Sequence, residues 1–281
     1  MYKLLLFFAL LFCVVTGAQA QKSCCVINAP ATFAALGNDQ AFTNAHENPA
    51  PYVYSDEPGK NITFRAMDGK DAHAFAVMAS QPTQHYLLVF HEFYGLNDYV
   101  KKESARLAKE LGNVNVLALD LYDGKVGATR EEATKLMQAV DSKRAVAIIE
   151  GAVRHIGPEA RVATLGWCFG GSWSLQAALH ADKQAVGCVM YYGQPETDIE
   201  RLSDLDCSVL GIFALQDKWL TPKVVQQFEA DMRKAGKKLT VYQFDADHAF
   251  ANPSSPRYDS ADAQKANKIA LDYLKKSFGI N

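Results

Sequence analysis

The segment Gly166-Trp167-Cys168-Phe169-Gly170-Gly171 follows the apolar run Val162-Ala163-Thr164-Leu165 and places a thiol between a strand and a glycine-rich helix start. A reactive atom carried on so sharp a turn needs glycine around it, because the backbone is strained and the helix packs close. Cysteine where serine is usual makes this a nucleophile elbow and points to acyl transfer. The segment has neither the dinucleotide glycine spacing nor the Lys-Ser/Thr ending of a nucleotide loop, which disfavours phosphate binding. The plainer alternative makes Cys168 a buried small hydrophobe, the commonest fate of a free cysteine.

Against that alternative stands the order of its possible partners. The run Val209 to Leu215 ends in Gln216-Asp217, and Leu239 to Phe244 ends in Asp245-Ala246-Asp247-His248. Nucleophile, acid and histidine in that order, each just past a strand, form the arrangement of an α/β-hydrolase. A free thiol titrates near ~8.5, so activation is expected from the helix that starts after Cys168 and from His248, which takes the proton. Asp217 would hold the imidazole in the productive tautomer, and the Phe169 N–H would donate to the developing oxyanion. This chemistry requires a sulfur that is ionisable, reachable at the rim of the sheet, and within proton-exchange distance of His248.

With these residues stand His91-Glu92-Phe93-Tyr94-Gly95-Leu96-Asn97 after the strand Tyr86 to Phe90, and Asp120-Leu121-Tyr122 after Val114 to Leu119. Together they resemble the dienelactone hydrolase family, from about Ile62 to the C-terminus. The resemblance implies an α/β-hydrolase fold acting on an ester or lactone, a Cys168-His248-Asp217 triad passing through a thioester, and Glu92 beside the thiol. It implies the Phe93 N–H as second oxyanion donor and Arg130 as the reader of a substrate carboxylate. From the residues alone, Glu92 reads equally as a solvated loop carboxylate and Arg130 as a solvent-facing arginine in a first helical turn. The family's second arginine, expected four residues after the histidine, is Asn252, which cannot supply charge-assisted bidentate bonds and puts a dienelactone substrate in doubt. Tyr94, Tyr122, Trp219 and Phe250 are candidate pocket walls, although aromatics near loops more often simply pack. His46, His73, His85, His155 and His180 lack clustered partners and read as surface or structural. Gly95 stands where a zinc-protease motif begun at His91 would need histidine, and neither metal nor cofactor is expected.

The elements that must position these groups are legible as short apolar runs separated by amphipathic segments. Ile62 to Ala66 and Ala74 to Ala79, joined through Asp68-Gly69-Lys70-Asp71, read as an antiparallel hairpin. The runs at 86–90, 114–119, 161–165, 186–192, 209–215 and 239–244 lack strict alternation, as expected of strands covered on both faces. Helices are predicted after Asn97 or Asp98 up to Gly112, from the Thr129/Glu132 capping box, from Thr221-Pro222 to Gly236, and finally up to Gly279. The predicted fold is α/β: a mainly parallel central sheet with helices on both faces, ligands lying beyond the strand carboxyl ends.

Lys3, the apolar stretch Leu4 to Val15 and the small-residue Ala18-Gln19-Ala20 read as a signal peptide over residues 1–20, too short to be a membrane span. The mature protein is expected in the periplasm or outside the cell, with no stable membrane span after processing. Residues 21–60, rich in Ala, Asn and Pro without sustained periodicity, read as an extension packed on the surface or partly disordered and carrying little chemistry. Residues 61–281 form the hydrolase domain. With 29 Lys plus Arg against 31 Asp plus Glu, no basic surplus suggests a nucleic-acid partner, so a small molecule is expected. Oligomeric state is not set by these features.

Beyond the signal remain Cys24, Cys25, Cys168, Cys188 and Cys207, an odd number that leaves at least one free thiol. Cys24 and Cys25 can pair with Cys188 or Cys207, or with nothing, and Cys188 reads as core. Two other function classes compete: a non-catalytic binding protein that keeps the fold, and a redox or metal-handling protein using Cys24 and Cys25.

Overall fold

The computed structural model describes residues 28–55 and 58–280; residues 1–20, read above as a signal peptide, and Cys24 and Cys25 lie outside them. Eight strands form one sheet: β1 Lys60–Arg65, β2 Asp71–Val77, β3 His85–Phe90, β4 Asn115–Leu119, β5 Arg161–Trp167, β6 Ala185–Tyr191, β7 Val209–Ala214 and β8 Leu239–Phe244. Their order is β1-β2-β4-β3-β5-β6-β7-β8. β1 and β2 pair antiparallel, as do β2 and β4, and every later pairing is parallel. β3, β4 and β5 are almost wholly buried, which is why their sequences run apolar rather than alternating. The predicted hairpin turns at Gly69, whose φ of 79° suits glycine.

The helices are α1 Asn28–Ala35, α2 Gln40–Asn44, α3 Asp98–Leu111, α4 Arg130–Gln138, α5 Ser142–Ile156, α6 Phe169–Ala181, α7 Ile199–Ser203, α8 Pro222–Lys234 and α9 Ser260–Phe278. α5 and α6 pack together on one face of the sheet, and α3 and α9 together on the other. Asn97 caps α3 by accepting from the Val100 N–H, and Glu132 of the capping box reaches the Ala128 N–H rather than that of Thr129. α5 follows α4 closely behind an Asp141 cap, which accepts from the Lys143 N–H. Among the described residues no helix is long and apolar enough to cross a membrane.

The segment before β1 departs from the expected surface extension. Phe33 of α1 and Phe42 of α2 have no exposed surface and belong to the main core. Their rings meet edge to face at 5.6 Å, and Phe42 meets Trp219 in the same way at 5.2 Å. Anchored by two aromatics, the segment lies over the C-terminal end of the sheet, where α1 contacts α6 and α4 and Phe42 of α2 meets Trp219.

Candidate active site

The chain leaves β5 and enters α6 through Cys168, held at φ 56°, a conformation that non-glycine residues rarely adopt. A Cβ on Gly166 would come within 2.0 Å of the Gly170 carbonyl oxygen, and one on Gly170 within 2.3 Å of the Phe90 oxygen, so glycine is obligatory at both. The Cys168 N–H donates to the Tyr191 carbonyl at the end of β6, fixing the turn against the sheet.

Loops after β7 and β8 bring up the other two groups. His248 Nε2 lies 3.5 Å from Cys168 Sγ, and His248 Nδ1–H donates to Asp217 Oδ2 at 2.6 Å. The other carboxylate oxygen of Asp217 accepts from the Trp219 and Leu220 N–H groups, both at 2.9 Å. Burial alone would raise the Asp217 carboxyl, but His248 and these two amides outweigh it and hold the carboxyl below its ordinary value.

The thiol is not activated in this arrangement, contrary to the expectation from the helix start and the histidine. Cys168 has no exposed surface, and burial pushes its thiol well above the ordinary value; the Phe169 amide, bonded to the sulfur, opposes this without overcoming it. Glu92 would add repulsion if ionised, yet its own burial pushes it up to about 8, so it stays protonated at neutral pH. The expected reachable sulfur is therefore sealed, and what covers it is the extension. Phe33 and Phe42 flank His248 at 6.3 and 6.1 Å, and His46, just past α2, turns its ring into the site.

His46 corrects the reading of that histidine as remote from the chemistry. Its Nδ1–H donates to the Phe42 carbonyl at 2.8 Å, which leaves the Nε2 lone pair facing Cys168 Sγ at 3.8 Å. Burial, with His248 nearby, depresses it to about 3. Its ring stacks on Phe93 at 4.5 Å, and Tyr94 Oη donates toward the His46 and Glu47 carbonyls. Only its isolation from other histidines in sequence was visible, and that pointed away from the site.

A cavity of about 280 Å³ has Glu92, Tyr94, Tyr99, Trp167 and Asn252 in its wall, whereas Cys168, Asp217 and His248 do not line it. Asn252 hydrogen-bonds Glu92 across one side of it. Of the other candidate walls, Phe250 is fully buried against Tyr192 and Phe244, and Tyr122 donates its hydroxyl to the Phe93 carbonyl. Trp219 Nε1–H donates to Asp39, and Arg130 bonds Asn44 and Asn48, so both grip the extension instead of the cavity. These four do not line the cavity.

Two residues that the sequence did not single out join the site. Arg257 donates through Nε to the His248 carbonyl, while its Nη2 is buried without a hydrogen-bond partner among the described residues. With Glu92, Asn252 and His46 it lines a second space of about 20 Å³. The Tyr192 ring lies 5.0 Å from that of His248, and its hydroxyl is likewise buried without a partner. Cys188 is core, and it, Cys207 and Cys168 are free thiols.

The profile of the dienelactone hydrolase family matches residues 72–278. A carboxymethylenebutenolidase of Pseudomonas putida is 27% identical over 234 residues, 76% of this chain and 95% of that protein. One from another Pseudomonas species is 25% identical over 228 residues, 75% and 94% of the two chains. The solved structure of a dienelactone hydrolase-like promiscuous phosphotriesterase from metagenomic libraries superposes with a TM-score of 0.67 at 20% identity, over 78% of this chain and 99% of that one, a likeness of fold. The chain belongs to the dienelactone hydrolase family and is a hydrolase acting on lactone or ester bonds.

Proposed function

We propose that this is an exported thiol hydrolase that opens lactones or esters bearing a carboxylate, through a thioester on Cys168, once the extension has lifted from the site. The observation that carries the reading is the continuous Asp217–His248–Cys168 chain, 2.6 and 3.5 Å long, at the strand carboxyl ends. Export rests on Lys3, the apolar stretch Leu4 to Val15 and Ala18-Gln19-Ala20.

In the proposed cycle, substrate entry with the extension displaced lets His248 Nε2 accept the thiol proton. The thiolate then adds to the carbonyl carbon. The resulting oxyanion accepts from the Phe169 and Phe93 N–H groups. As the C–O bond breaks, the His248 imidazolium gives its proton to the leaving alkoxide; in a lactone that alcohol remains tethered to the acyl group. Water, deprotonated by the same imidazole, attacks the thioester, the C–S bond breaks and the thiol is restored. Glu92, kept neutral by burial, adds no repulsion while the thiolate forms.

The substrate class rests on Arg257. A buried guanidinium nitrogen without a partner, 9 residues past the histidine in sequence but bonded to its carbonyl, suits a carboxylate and takes the part that Asn252 cannot. The relatives' name, carboxymethylenebutenolidase, describes a carboxylate-bearing lactone. Intact-mass measurement during turnover of a slow ester should show an acyl adduct on the wild type and none on Cys168→Ala. Hydrolysis persisting in Cys168→Ala would overturn the reading.

A further inference from the structure

The sealed thiol has an electronic peculiarity. Two imidazole Nε2 atoms converge on Cys168 Sγ, at 3.5 Å from His248 and 3.8 Å from His46, and all three atoms lie within 4.8 Å of one another. Each ring commits its Nδ1–H elsewhere, His248 to Asp217 and His46 to the Phe42 carbonyl, so both Nε2 atoms present lone pairs. The thiol has one proton and can satisfy only one of them. If His248 takes that proton, a thiolate is left facing the second lone pair with nothing positive between them.

A metal ion resolves this. We propose that His46, Cys168 and His248 form a binding site for a thiophilic divalent metal ion such as Zn²⁺, with the N-terminal extension supplying one of the three protein ligands. Zinc binds sulfur at about 2.3 Å and imidazole nitrogen at about 2.0 to 2.1 Å, so tetrahedral ligands sit with S and N about 3.6 Å apart, against the 3.5 and 3.8 Å found. Ligating histidines characteristically donate their other N–H to a carboxylate or a backbone carbonyl; His248 does the first and His46 the second. On binding, the thiol proton leaves to solvent, one S–metal and two N–metal bonds form, and the ion sheds water. The thiolate and the Asp217 carboxylate offset the two positive charges. Three protein ligands leave a fourth position for solvent. The ion would clamp the extension onto the nucleophile. That inhibitory consequence rests on the hydrolase reading, whereas the binding itself does not.

The mature, reduced protein is titrated with Co²⁺ as a spectroscopic probe. One equivalent should produce a thiolate-to-cobalt charge-transfer band and the strong visible bands of four-coordinate cobalt, both bleached by Zn²⁺. Cys168→Ser should remove the charge-transfer band. His46→Ala and His46→Gln should each weaken binding by about tenfold or more; glutamine can still donate to the Phe42 carbonyl, so agreement between the two separates ligand loss from loss of docking. A Cys24→Ser, Cys25→Ser variant should keep the bands. Absence of the bands, their survival in Cys168→Ser, or their dependence on Cys24 and Cys25 instead of His46 overturns the site. Metal binding in a protein that hydrolyses no ester or lactone when metal-free defeats the hydrolase reading alone; hydrolysis without cobalt bands defeats the metal site alone.

Discussion

The sheet and the extension contribute to one site by opposite means. β5 and β7, both buried, deliver Cys168 and Asp217, and the more exposed edge strand β8 leads to His248, so parallel-sheet geometry and a strained elbow fix their positions. The extension reaches the same point on two short helices of eight and five residues, held by two buried phenylalanines and a few polar bonds. Helices this short are marginal without tertiary packing. The frame is therefore rigid by construction, while the cover stays only as long as its anchors do.

The largest effect should come from the frame. His248→Ala is expected to lower kcat/KM by about a thousandfold or more, since removal of a triad member leaves only binding and oxyanion stabilisation. Retention of a tenth of the wild-type rate on an activated ester would mean that the frame does not act as drawn. For the cover, loss of a fully buried phenylalanine costs about 3 to 5 kcal/mol. Phe42→Ala should thus speed Cys168 labelling by a small electrophile about a hundredfold or more, and unchanged labelling would show that the extension is not the seal.

Where frame and cover meet, Arg257→Met should lower kcat/KM for carboxylate-bearing lactones by roughly 10- to 100-fold, as expected for a charged hydrogen-bond partner worth about 1.5 to 3 kcal/mol. Neutral esters should change little; equal losses on both would remove the anion-reading role.

The smallest effect per step is a pH slope. Glu92 sits near 8 in the folded chain against 4.5 when unperturbed, so between these values the folded state binds more protons than the unfolded. Stability from this group is complete below 4.5 and falls as pH rises towards 8, by at most about 1.4 kcal/mol per pH unit. Urea unfolding of Glu92→Gln should lack that decline. An unchanged slope would place Glu92 in water instead of in the wall.

The elbow was legible because its chemistry is local: glycine at 166 and 170 is demanded by backbone contacts within a few residues. Asp217 and His248 were legible because each directly follows an apolar run, and parallel strands end on a common edge. The hairpin was marked by Asp68-Gly69. α5 was not delimited, since it follows α4 with little sequence between them. Arg257 and Tyr192 carry no motif, and their proximity to His248 arises from how the loops after β6 and β8 fold back.

By itself, the sequence determined a nucleophile elbow, its acid and histidine in chain order, and the strand pattern that presents them, because these depend on short-range backbone constraints and on burial of apolar runs. Only the tertiary structure decided that residues 28–55 enter the core, that His46 turns a lone pair toward Cys168, and that the thiol is covered and neutral. Those facts depend on contacts spanning more than a hundred residues, where the desolvation of one sulfur is set by side chains, Phe33 and Phe42 among them, whose spacing along the chain gives no sign of what they will cover.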